Sequence, residues 1–191
     1  HVRPEGLSPD SIYLIPLRIK SVSAYEINPD KRTVLYRVLL KNDYAFQSPV
    51  TTYQTRGLEE HFDAEKGKDI RKSFSLTRYV LPLTKNSIRC FVGLNSYDAS
   101  KLTKADIRKY AMCITINEDA TLTITPMGTA QIEMLDKAGE SNYYTTYEKN
   151  NIKYQAFYLN YRYRLLKDGK DGSNGDADYD IWYTMEETMI R

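Results

Sequence analysis

The segment from Tyr154 to Met185 constrains the fold most. Phe157, Leu159, Tyr161, Tyr163 and Leu165 recur at every second position, and beyond a Gly/Asp-rich stretch Tyr179, Ile181, Tyr183 and Met185 do the same. A period of two marks a half-buried strand, because consecutive side chains leave opposite faces of a pleated ribbon. Two such runs around a polar loop spell a long aromatic β-hairpin.

The rest of the chain extends that reading. Residues 12–20 and 33–41 are β-rich runs separated by the turn signal Asn28-Pro29-Asp30, and Pro16 assigns the first to a sheet edge or a bulge. The pattern breaks at Gln47-Ser48-Pro49, which marks a domain junction, and a strand from Val50 to Thr55 ends at Gly57. Residues 58–72 are charged and weakly periodic, the pattern of an exposed loop with a helical turn. Phe74–Leu81 and Ile88–Leu94 pair across a Pro82–Asn86 turn, and Thr103-Lys-Ala-Asp106 is a capping-box variant that starts a short helix over 103–109. Met112, Ile114 and Ile116 with Leu122 and Ile124 make a hairpin, which continues through Ala130, Ile132 and Met134. A strand at Tyr143–Tyr147 then turns at Asn150-Asn151 into the last hairpin. The expected fold is all-β: an antiparallel barrel-like (lipocalin-like) or sandwich domain over 46–191, preceded by a β-hairpin over 1–45.

Composition narrows function by exclusion. A net charge of +2 on 191 residues provides no electrostatic basis for nucleic-acid binding. No apolar run approaches the roughly 20 residues of a membrane-spanning helix. Cys90 and Cys113, the only cysteines, have neither CxxC nor Cys/His spacing and read as small buried hydrophobes, with no metal or redox cofactor expected. The outlier is tyrosine, with 17 Tyr against 5 Phe and 1 Trp. Tyrosine suits sheets with one wet face and also surfaces that stack on sugars.

Two segments carry a resemblance. Tyr13-Leu-Ile-Pro-Leu-Arg-Ile-Lys-Ser-Val-Ser23 with Val34-Leu-Tyr-Arg37 and Lys41-Asn-Asp-Tyr-Ala45 resembles the closing hairpin of an adhesin-like domain, N-terminal in many Bacteroidetes surface lipoproteins. Phe157-Tyr-Leu-Asn-Tyr-Arg-Tyr163 with Glu187-Thr-Met-Ile-Arg191 resembles the barrel-like domain that follows it. The resemblance implies that residues 1–45 are the end of a truncated N-terminal domain. It further implies a lipid-anchored cell-surface or outer-membrane setting beside a starch-utilisation-type glycan-uptake complex. Those motifs are strand signatures and transfer no catalytic residue.

Candidate chemistry lies on the even-numbered face of the final hairpin, where Tyr154, Tyr158, Asn160, Arg162 and Arg164 share a side with Asp180, Trp182 and Glu186. Aromatic rings against sugar C–H faces, with amide, guanidinium and carboxylate groups for hydroxyls, make a glycan platform of Trp182, Tyr158, Tyr154, Arg162, Asn160 and Glu186. The commoner use of such a face is packing under another sheet, or an Arg162–Trp182 cation–π pair. The Glu59-Glu60-His61-Phe62-Asp63 run holds paired carboxylates and the one internal His, but neighbours in a loop rarely converge on a single substrate atom. No nucleophile elbow, P-loop or dinucleotide glycine pattern is present, so no enzymatic activity is expected. The Asp168–Asp178 stretch has oxygen ligands at calcium-like spacing, but Tyr179 stands where the loop template needs glycine. The expectation is a non-enzymatic glycan-binding or accessory module. A ligand-free structural or adhesive spacer and a barrel around a small apolar ligand are the alternatives.

Overall fold

The computed structural model describes residues 5–95, 102–136, 142–167 and 178–191. Two strands, β1 (Tyr13–Arg18) and β2 (Thr33–Val38), pair antiparallel as a sheet of their own. The remaining strands are β3 (Thr51–Asp63), β4 (Lys68–Thr84), β5 (Ser87–Phe91), β6 (Ala111–Ile116), β7 (Leu122–Pro126), β8 (Gln131–Met134), β9 (Tyr143–Lys149), β10 (Ile152–Arg164) and β11 (Tyr183–Ile190). They form one antiparallel sheet in the order β7-β6-β5-β4-β3-β11-β10-β8, with β9 also pairing to β10. The sheet curls until β8 lies by β7, where the Ile124 N–H donates to Met134 Sδ at 3.2 Å, and the result is a nearly closed barrel. Helix α1 (Lys104–Tyr110) begins at the expected capping box: Asp106 N–H donates to Thr103 Oγ1, and Thr103 N–H donates back to the Asp106 carboxylate.

The barrel interior is a packed core. Tyr53, Val80, Ile88, Met112, Ile114, Phe157, Leu159, Tyr161, Met185 and Met189 are almost wholly removed from water. An interior filled by Phe157, Leu159 and Tyr161 leaves no room for an apolar ligand there, which removes that alternative. The β9–β10 turn at Asn150 and Asn151 has φ of 53° and 62°, the left-handed pair that a tight hairpin needs and asparagine tolerates.

Two local expectations change. Residues 58–72 are a continuous strand pair, in register from Thr51↔Val80 to Asp63↔Lys68. On β3 the inward positions here are Gly57, Glu59 and His61, so its alternation carries no apolar signal; pairing of β3 with β11 supplies the order instead. The last strand starts at Tyr183, with Tyr161 opposite Met185 and Phe157 opposite Met189. Tyr179 makes only an isolated bridge to Leu166, and Ile181 is 46% exposed instead of facing the core. Ahead of β3, the Asn42 side chain donates to the carbonyls of Thr84 and Ser87, and Leu40 and Ala45 are fully buried.

The β1–β2 sheet has a different character. Ile15, Leu17, Val34 and Tyr36 share one face, and each is about half exposed or more. Its links to the barrel are polar: Arg89 forms a two-pronged ion pair with Asp10, and the Gln47 side chain donates to the carbonyls of Pro9 and Ser11.

Candidate functional site

Strand parity assembles the site. Asn160 lies opposite Glu186, Tyr158 opposite Thr188 and also opposite Tyr143 on the other side. Glu186 pairs with Leu58 and Thr188 with Arg56, while Leu58 pairs with Ser73. Because all these pairings are in register, side chains from β9, β10, β11, β3 and β4 emerge on the face turned away from the core. Together they line a groove of about 650 Å³, a size typical of small-ligand sites.

The groove combines an aromatic wall with hydrogen-bonding groups. Tyr143 and Tyr158 stack with ring centroids 4.4 Å apart and planes 14° from parallel. Asn160 is 7% exposed. Its backbone is held on both sides: the N–H donates to Asn142 Oδ1 at 2.6 Å, and the carbonyl accepts from Asn142 Nδ2 at 2.9 Å and from Leu135 N at 2.9 Å. Its side-chain amide makes no hydrogen bond to any described residue. Asn160 borders the groove. Arg56 and Ser73 add exposed polar groups from β3 and β4, and Leu58 adds an apolar one.

Gly57 permits the close strand approach beside this groove. A Cβ at that position would lie 2.1 Å from the Glu186 carbonyl oxygen and 2.7 Å from the Glu187 Cα. Only glycine fits such contact with a neighbouring backbone.

The six residues read from the sequence divide into three neighbourhoods. Tyr158, Asn160 and Glu186 line the groove. Tyr154 lies further along β10 on the same face, stacked on Tyr147 at 5.2 Å and 14°. Trp182 and Arg162 form the other end, outside the groove lining. The Arg162 and Arg164 guanidiniums sit 4.6 and 4.8 Å from the indole centroid, and Arg164 is also 4.8 Å from the Tyr179 ring. Arg162 further pairs with Glu133 at 2.5 Å, and Arg164 Nε donates to Gln131 Oε1 at 2.7 Å. The cation–π pairing that competes with sugar stacking is therefore the arrangement observed at Trp182.

A polar system inside the barrel escaped the sequence reading. Arg78, 2% exposed, donates to Glu187 at 2.6 Å, to the Gly93 carbonyl at 2.8 Å and to the Phe91 carbonyl. The Tyr161 hydroxyl donates to Glu187 at 3.1 Å and accepts from the Gly93 N–H at 3.0 Å. Burial pushes the Tyr161 hydroxyl well above its ordinary range, and the Glu187 charge adds to the effect. Nearby, Glu59 is 6% exposed, and desolvation raises its carboxyl above the usual range despite His61 and Lys72. Glu59 and His61 are both inward-facing, with His61 against the Tyr183 ring at 5.1 Å, so the loop argument against their convergence does not apply to a strand. No apolar periodicity announces these positions; only the spacing of two between Glu59 and His61 hints at a shared face.

Among the described residues, no cluster of three His, Cys, Asp or Glu is placed to hold a metal, and no helix is long and apolar enough to cross a membrane. The calcium-like spacing over Asp168–Asp178 falls almost entirely on residues outside those described. Cys90 and Cys113 are unbridged. They belong to the paired strands β5 and β6, but Cys90 lies opposite Met112, which puts the two thiols on opposite faces of the sheet.

Residues 32–190 match a family model described as "-like, C-terminal". The chain belongs to that C-terminal domain family. A comparison with curated proteins finds no match. Among solved structures, a structural-genomics protein of unknown function from Bacteroides ovatus is similar at 19% identity and a TM-score of 0.58, covering 93% of this chain and 57% of its own. A multidomain protein including DUF1735, also from Bacteroides ovatus, is similar at 18% identity and a TM-score of 0.56, covering 83% of this chain and 53% of its own. An auxiliary nutrient binding protein from Bacteroides thetaiotaomicron is similar at 17% identity and a TM-score of 0.51, covering 93% and 56%. The chain thus spans little more than half the length of these structures. At such identities the likeness is one of fold.

Proposed function

We propose that this domain is a non-catalytic glycan-binding accessory module of a cell-surface nutrient-uptake system, and that the groove beside Gly57 is its binding site. The observation that carries the reading is the groove itself, where the stacked Tyr143–Tyr158 pair meets Asn160. A pyranose ring offers apolar C–H faces to an aromatic side chain and hydroxyls to an amide, and Ser73 and Arg56 on the same lining add exposed polar groups for further hydroxyls. The similarity in fold to an auxiliary nutrient binding protein supports an accessory role. An outer-membrane, lipid-anchored setting fits the same role. So does a preceding domain packed on the apolar β1–β2 face, since the match covers only 57% of a related structure.

Affinity is expected to be modest, because an open groove displaces little water and leaves much of a sugar solvated. The test is retention on a panel of immobilised polysaccharides by the parent, Tyr158→Ala and Trp182→Ala. The groove reading predicts that Tyr158→Ala abolishes retention while Trp182→Ala keeps most of it. The reverse order moves the site to Trp182. A parent that binds nothing favours a structural spacer.

A further inference from the structure

The tyrosines of β9 and β10 form two matched platforms on one face. Tyr158 lies opposite Tyr143, Ala156 opposite Thr145, and Tyr154 opposite Tyr147. Both tyrosine pairs are stacked with planes 14° from parallel. The first pair lines the groove, and Tyr147 in the second is 38% exposed. Between them the same face carries Ala156, which is fully buried, and the half-buried Thr145, both with short side chains. At a strand rise of about 3.4 Å per residue, the four-residue step from Tyr158 to Tyr154 sets the platforms about 14 Å apart. That distance exceeds one pyranose ring and matches about three sugars of an extended chain, a ligand longer than a compact pocket holds.

We propose that the site takes a linear oligosaccharide chain along β10, with Tyr143–Tyr158 and Tyr147–Tyr154 as two separate ring-stacking subsites, and not a single terminal sugar. This rests on the glycan reading of the groove and adds a length requirement to it. A chain long enough to reach Tyr154 gains a second aromatic contact without a second loss of rotational and translational freedom, so affinity rises steeply once the span is bridged.

The experiment is calorimetric titration of the full chain with size-graded linear oligosaccharides, from monomer to hexamer, of α-1,4-glucan, β-1,4-mannan and β-1,4-xylan. In the series that binds, affinity is expected to rise about tenfold between dimer and tetramer and then level off. Tyr154→Ala should erase that rise and leave the short sugars unaffected, whereas Tyr158→Ala should weaken every length. Tyr147→Thr, which keeps a good strand former on the edge, gives the same readout if Tyr154→Ala fails to fold. Affinity independent of length, or a Tyr154→Ala profile matching the parent at every length, overturns the second subsite while the groove stands. A Tyr158→Ala variant that binds like the parent overturns the groove reading as well, and so does failure of all three series to bind.

Discussion

The buried Arg78–Glu187 pair sets the sharpest expectation about stability. Both side chains are almost completely removed from water, at 2% and 0% exposure, and the pair holds Tyr161 and the Phe91 and Gly93 carbonyls in one network. Replacing Glu187 by Leu leaves a guanidinium buried without a counter-charge, a change that costs about 3–5 kcal/mol. That is a large share of the roughly 5–15 kcal/mol by which a domain is stable. At about 2–4 °C per kcal/mol for a chain of this size, the melting temperature should fall by about 6–20 °C. Arg78→Met should cost at least as much, because it also strips two buried carbonyls of their donor. The Arg78→Met/Glu187→Leu double variant leaves no lone charge and should lose about 2–3 kcal/mol less than the sum of the singles. Urea unfolding of the four proteins at one pH, with equal slopes, supplies the cycle. Single losses below about 1 kcal/mol, or strictly additive ones, would refute the claim that the pair acts as a unit in a water-free interior.

Three further outcomes follow from particular atoms. Gly57→Ala places a methyl against the Glu186 and Glu187 backbone, so it should destabilise by about 2 kcal/mol or more and disturb the groove, as read by thermal melting and glycan retention together. Glu59 is held above the usual carboxylate range by desolvation, so its folded state favours the proton more than the unfolded chain does. Stability therefore falls as pH rises through that range, and Glu59→Gln should melt higher than the parent at about pH 7 but not at about pH 4. Burial pushes the Cys90 thiol up to about 12, so a disulfide-exchange reagent should modify at most one thiol per native chain near pH 8 and two in denaturant.

The architecture was legible wherever apolar residues alternate. Met112, Ile114 and Ile116, or Phe157 through Tyr163, announce strands because their inward side chains are apolar, and the capping box at Thr103 announces the helix through local chemistry alone. It was illegible wherever the inward side is polar. Gly57, Glu59 and His61 point inward on β3, and Glu187 sits between Met185 and Met189 on β11, so the pattern broke there although the strands did not. The groove was half legible for a related reason. Parity alone gathers Tyr158, Asn160 and Glu186, but the contributions of Arg56, Leu58 and Ser73 depend on β3 lying beside β11, which no local pattern encodes. Trp182 drew attention as the single tryptophan, yet its surroundings are set by Arg162 and Arg164 on the neighbouring strand.

The most direct test is a crystal structure of the protein soaked with a linear oligosaccharide from whichever series it retains. The account predicts a sugar ring against Tyr158, with a hydroxyl within hydrogen-bond reach of the Asn160 amide. A sugar seated on Trp182, or inside the barrel beside Glu59, would contradict it.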